Sequence, residues 1–320
     1  MKTRTLLLLT ILTLSCIQAK ADLAPTVMLH RGGVVKTYMY YEVQKAVDDA
    51  VDGDTIYLSE GTFRPFNVNK RILVRGAGPT TLIEGSCIID ISGTQKLTMP
   101  VLDAITFSGD IEVRNAYRQF TLRKCRMANL NFSDSEFYDV KVDRCYFTNR
   151  LNLPCNVKEF NAFNSKIYVL YPRDYKNGKV TFEHCNIREI CAPITAGVFN
   201  STFIYTCTKL AGVDSNYNLI NCILNSCAYT GYVKFSDCVQ ENCYSFSLGS
   251  SDTPIEFDGS RTGTGKVYTS ALDGYVIGAY GGQHPFNRNP EIPGVTKHEI
   301  SIDAATRTMT VKLTVDKLDK

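Results

Sequence analysis

Arg123, Asp143, Phe163 and Glu183 stand on a common interval of twenty residues, and Lys141 and Asn161 lie two places before the second and third of them. If that interval is a structural repeat, the six share one surface, with cations beside two carboxylates and an aromatic ring. Such a surface suits a uronic sugar. In a lyase, Lys141 or Arg123 would remove the proton next to the uronate carboxyl. Asp143 and Glu183, the candidate Ca2+ ligands, would neutralise that carboxylate. In an inverting glycoside hydrolase, Glu183 and Asp143 would be acid and base, two repeats or about 9.6 Å apart. That is near the upper end of the roughly 6.5–9.5 Å such pairs need. Phe163 and Asn161 would bind the sugar in either case. A mixed-charge sheet face with an aromatic also serves binding without catalysis, so catalysis at Lys141, Arg123, Asp143 and Glu183 stays one alternative of two.

The interval is a repeat. "FTLRKCRM" at Cys125, "VKVDRCYF" at Cys145, "FNAFNSKI" at Ser165 and "VTFEHCNI" at Cys185 share a frame. "AGVFNSTF" at Ser201, "YNLINCIL" at Cys222 and "VKFSDCVQ" at Cys238 continue it, at intervals of 20, 20, 20, 16, 21 and 16 residues. Apolar residues recur five and three places before each anchor. This alternation is the strand period, so each repeat supplies a strand with one face buried and positions four and two before the anchor facing out. A unit this small buries its face only by stacking on its neighbours, which makes a solenoid. Leucine-rich repeats share the frame but use mainly Leu and longer units; the Val, Phe, Ala and Ile found here suit a parallel β-helix.

The anchors would stack in one column of small buried side chains, with Cys191, Cys207, Cys227 and Cys243 forming a second. Free Cys behaves there as a small apolar residue. Metal binding would call for tighter Cys pairs, and stacked equivalents point in parallel, a poor geometry for disulfides. The polar column Lys124, Arg144, Asn164 and His184, one place before the anchors, reads as a turn-exposed or hydrogen-bonded ladder.

At the N-terminal end, Val43, Ala46, Val47, Ala50 and Val51 have helical spacing, Gly53 closes the helix, and Thr55 to Leu58 is a strand. This segment, "EVQKAVDDAVDGDTIYLSEGTF", and "NKRILVRGAG" at 69–78 resemble the entry of secreted bacterial right-handed parallel β-helix proteins of the pectate-lyase-like superfamily. The resemblance implies an all-β fold, an N-terminal capping helix and a polysaccharide as the substrate class. Beyond residue 246 the repeat fades. Residues 278–294 read as a Gly- and Pro-rich ordered loop. Strands at 298–302 and 308–315 form a hairpin expected to cap the solenoid.

Residues 1–21 combine Lys2 and Arg4, an apolar run and Ala19-Lys20-Ala21, the pattern of a secretory signal peptide. Cys16 offers a lipid anchor as the rival. The whole chain has 35 Lys+Arg and 32 Asp+Glu; removal of Lys2, Arg4 and Lys20 leaves it formally neutral, which gives no bulk attraction to nucleic acid or anionic membrane. His30, His184, His284 and His298 form no metal-spaced cluster.

The expected organisation is therefore a signal peptide (1–21), a helix-capped parallel β-helix (22–282) and a C-terminal loop and hairpin (283–320). The protein is expected to be secreted, periplasmic or on the cell surface, and monomeric, with no transmembrane segment and no cofactor other than Ca2+. Its role is polysaccharide recognition or processing, with uronate lyase first and inverting hydrolase next among enzymes. A non-catalytic adhesion or structural protein is the competing class.

Overall fold

The computed structural model describes residues 24–91, 101–114, 119–133, 136–153, 156–172, 177–191, 197–200, 202–207, 217–220, 223–225, 239–241, 244–246, 273–288, 295–303 and 308–315. It is a parallel β-solenoid that is mostly strand, with very little helix. In sheet I the strands Leu102–Asp103, Gln119–Arg123, Glu136–Asp143, Asn156–Phe163, Asn177–Glu183 and Gly197–Asn200 lie side by side and parallel. In sheet II the equivalent order is Thr106–Phe107, Arg126–Phe132, Tyr146–Asn152, Lys166–Tyr171, Asn186–Ile190 and Phe203–Cys207. The chain passes from one sheet to the other by a bend at each anchor.

Alternation along the strands fills the interior. From sheet I, Phe120, Val140, Phe160 and Val180 form one inward row and Leu122, Val142, Ala162 and Phe182 the next. From sheet II, Leu130, Leu151, Leu170 and Ile190 stack in register. Each such side chain contributes roughly 1.5–3 kcal/mol by leaving water. The partners of these residues on the other strand face carry the candidate chemistry.

The bend explains the anchor. Ala104, Lys124, Arg144, Asn164 and His184 all have left-handed backbone, with φ between 45° and 56°, a conformation that costs a non-glycine residue roughly 1–2 kcal/mol. The residue after each closes the turn from inside. The Cys125 thiol donates to the Arg123 carbonyl at 3.3 Å, Cys145 to Asp143 at 3.4 Å and Cys185 to Glu183 at 3.4 Å. The Ser165 hydroxyl donates to the Phe163 carbonyl at 2.7 Å. Successive coils join here too, since Lys124, Arg144 and Asn164 N–H groups donate to the Asp143, Phe163 and Glu183 carbonyls. From Lys124 onward the slot takes a small donor, and Cys, Ser and Thr each fit, whereas the buried Ile105 fills it after Ala104.

Pairing corrects three registers. Asn200 lies beside Glu183, and the Thr202 hydroxyl donates to the Asn200 carbonyl at 2.9 Å, so Thr202 and not Ser201 holds the anchor position. Ile220 and Ile223 pair with Glu241 and Tyr244, a step of twenty-one residues where the sequence frame expected sixteen; Cys238 itself lies outside the described residues. Cys207 pairs with Ile190 rather than with Cys191, so the proposed second column is out of register. Cys222, Cys227 and Cys243 lie outside the described residues, as do Cys16 and the leader.

The helix Val43–Asp49 buries Val43, Ala46 and Val47. It ends before Val51, which is half exposed. Its last carbonyls are closed by Lys70, whose Nζ donates to Val47 O at 3.0 Å and Ala50 O at 2.8 Å, a cation placed where the helix dipole favours one. The C-terminal strands Val295–Asp303 and Thr308–Val315 form an antiparallel hairpin.

Cys87, Cys125, Cys145 and Cys185 are free and buried. Burial pushes the Cys185 thiol from 9.0 up to about 12, and those of Cys87 and Cys145 also upward. These thiols are expected to resist alkylation in the native protein and to react in denaturant. Because their folded values are raised, their contribution is intact below about pH 9 and declines above it as unfolded thiols ionise first, by about 1.4 kcal/mol per unit for each thiol. Denaturation midpoints between pH 7 and 11 measure this, and Cys185→Ser should flatten the decline. Cys145→Ser should cost under about 1 kcal/mol and Cys145→Val more, by about 1 kcal/mol for the lost hydrogen bond. A Val variant as stable as Ser would show that the slot needs no donor.

Candidate functional site

Outward positions of sheet I form two ladders beside the bend. The nearer runs Arg75, Asp103, Arg123, Asp143, Phe163, Glu183 and Asn200; the next runs Thr121, Lys141, Asn161 and Thr181. Phe163 thus stands between the two carboxylates, and Lys141 Nζ lies 5.1 Å from the centre of its ring.

Residues 273–288 fold back onto the bend and build a wall over these ladders. The Asn164 side-chain amide donates to the Gly281 carbonyl at 2.6 Å and the Ala279 carbonyl at 3.2 Å. Ala279 N–H donates to Asn186 Oδ1 at 2.9 Å. His184 Nε2 meets Asp273 Oδ2 at 2.7 Å, a ring N–H donating to the carboxylate. The His184 ring is buried beneath Gly281 and Gly282; a Cβ on Gly282, whose φ is +76°, would come within 2.9 Å of His184 Cδ2. Of the two readings of the bend column, the structure shows the hydrogen-bonded one, with Lys124, Asn164 and His184 buried rather than turn-exposed. Its left-handed backbone aims Asn164 and His184 at this loop, whose polar groups they satisfy.

Between loop and sheet lies a pocket of about 470 Å3, lined by Lys141, Asp143, Phe163, Asn164, Glu183 and His184 from three successive coils, and by Asp273, Tyr275, Gly282, Gln283 and His284 from the loop. Of the residues expected at a site, Lys141, Asp143, Phe163 and Glu183 come together here. Arg123 does not line it. Its guanidinium donates to both oxygens of Asp103 at 3.1 and 2.7 Å, and Arg75 donates to the same buried carboxylate at 2.8 Å. Asn161 keeps its outward place beside Lys141 but also stays outside the lining.

Asp143 is already held by its neighbour, Arg144 NH2 lying 2.8 Å from Asp143 Oδ2. Phe163 separates it from Glu183, and among the described residues no group of three or more His, Cys, Asp or Glu is placed to hold a metal. Asp143 and Glu183 are therefore a poor donor set for Ca2+, and no step is routed through a metal.

Asp273, Tyr275 and His284 carried no signal in the sequence, because no periodicity relates them to the coils. Their one hint was the Gly-rich run at 278–282, which lets the backbone approach His184 closely. No family model, curated protein or solved structure matches this chain significantly.

Asn164→Ala strands the buried Gly281 carbonyl, while the Ala279 carbonyl keeps the Phe286 N–H, at a cost of about 1–3 kcal/mol. Amide exchange across 273–288 should quicken about tenfold or more, while Thr55–Leu58 is unaffected. Unchanged exchange in the loop would show that the bend column does not hold it.

Proposed function

We propose that this chain is an exported β-solenoid protein whose pocket recognises and processes a uronate-containing polysaccharide, with β-elimination as the reaction. The observation that carries the reading is Lys141. It is exposed at the pocket, lies on the face of Phe163 and has no carboxylate partner among the described residues, whereas Arg123 and Arg144 are each committed to an aspartate. An uncommitted cation beside an aromatic floor favours an anionic sugar, with Tyr275 as a second stacking surface.

In the elimination, Lys141 Nζ is the base that takes the proton α to the uronate carboxyl. The C–H electron pair becomes the new carbon–carbon double bond, and the β carbon–oxygen bond breaks. His284, on the loop side, returns a proton to the leaving oxygen. The hydrolase alternative is weaker because, of the three pocket carboxylates, Asp143 is paired with Arg144 and Asp273 is hydrogen-bonded to His184, which leaves Glu183 as the one without such a partner among the described residues. Those same pairs favour the second reading, non-catalytic glycan binding on Phe163 and Tyr275. Export rests on the leader-like residues 1–21.

Incubation of the protein with a panel of uronate polysaccharides, with and without Ca2+, and ultraviolet detection of the unsaturated product tests this. Product should form, Lys141→Ala should slow it by about 10²–10⁴-fold, and Arg123→Gln should change it little. No product and no new reducing ends across the panel would leave glycan binding as the function.

A further inference from the structure

Beyond the pocket, the same loop meets a row of cations on sheet II. The first outward residues after the bend pair in the order Thr106, Arg126, Tyr146, Lys166 and Asn186. Tyr146 is flanked by two cations, Arg126 at 5.3 Å and Lys166 at 4.9 Å from its ring centre. The loop adds Tyr280 and Phe286 around Lys166, at 5.9 and 5.8 Å. It then brings Arg288 to Thr106, the rung beside Arg126, where the guanidinium donates to the Thr106 hydroxyl.

Arg288 is half-buried, and its Nε, shielded from solvent, has no hydrogen-bond partner. Burial and the nearby Arg126 charge both push against its protonated form, and the described groups that favour it are Cys125, Cys145 and Tyr146, with no carboxylate among them. Neither Arg126 nor Arg288 has an ion pair among the described residues. Two guanidiniums on adjacent rungs, one of them partly desolvated, are a costly arrangement that a shared anion relieves. Their planar donor sets match the oxygens of a carboxylate, sulfate or phosphate.

We propose that Arg126 and Arg288, on the sheet II side of the loop, form an oxyanion-binding site. It stands independently of the reading of the pocket.

Calorimetric titration of the full protein with sulfate, inorganic phosphate and acetate at constant ionic strength, with chloride as the background ion, tests the site. At least one oxyanion should bind saturably at one site. Arg126→Gln, at an exposed position that the fold does not need, should weaken that binding at least tenfold, and Arg288→Gln should do the same. Carboxylated and sulfated oligosaccharides compared with the free anions distinguish a polymer-borne group from a free ion as the natural source. Absence of saturable binding by all three anions, or equal binding by wild type and both variants, would overturn the assignment.

Discussion

In the coils that end sheet I at Arg123, Asp143, Phe163 and Glu183, the chain turns into sheet II at the same place, through a non-glycine residue in left-handed conformation followed by a small donor. A left-handed Lys, Arg, Asn or His is unfavourable alone. Here the turn is fixed on three sides. The residue after it donates inward to the carbonyl two places back, the backbone N–H at the turn bonds to the next coil, and apolar side chains on both flanks are buried. Because each bend is held by its neighbour, the conformation propagates through the stack, and the outward residues of successive strands fall into straight ladders.

That constraint also makes the site. A left-handed residue projects away from both sheets, so the column Arg144, Asn164 and His184 forms a row of polar side chains at the corner of the solenoid. Arg144 turns back to Asp143; Asn164 and His184 reach the loop at 273–288. The loop spans the corner, offering Asp273, Tyr275 and His284 to the sheet I pocket and Tyr280, Phe286 and Arg288 to the sheet II row. The local strain at the bend is thus balanced by contacts that assemble a concave surface on an otherwise open sheet.

Period-2 alternation and a twenty-residue interval were enough to reveal the solenoid and to place Lys141, Asp143, Phe163 and Glu183 on one outward face, because that geometry follows directly from strand spacing. Register failed where coil length changed. Ser201 and Thr202 are adjacent hydroxyl residues that the sequence frame does not distinguish, and only the pairing of Asn200 with Glu183 and the contact of Thr202 with Cys185 identifies Thr202. Arg123 looked equivalent to Lys141 until the buried Asp103, one coil away in a less regular stretch, claimed it. The wall residues were not legible at all, since a loop some ninety residues beyond His184 reaches it by hydrogen bonds that leave no pattern in the chain.

Sheet I and the returning loop together make one pocket at the bend, which we propose holds a glycan. Hydrogen exchange read by mass spectrometry, with and without a short uronate oligosaccharide, tests it most directly. The account predicts joint protection of the segments containing Lys141–Asp143, Phe163–Asn164, Glu183–His184 and 273–284, with the rest of sheet I unchanged. Protection spread along the open sheet, or confined to coils away from the loop, would contradict it.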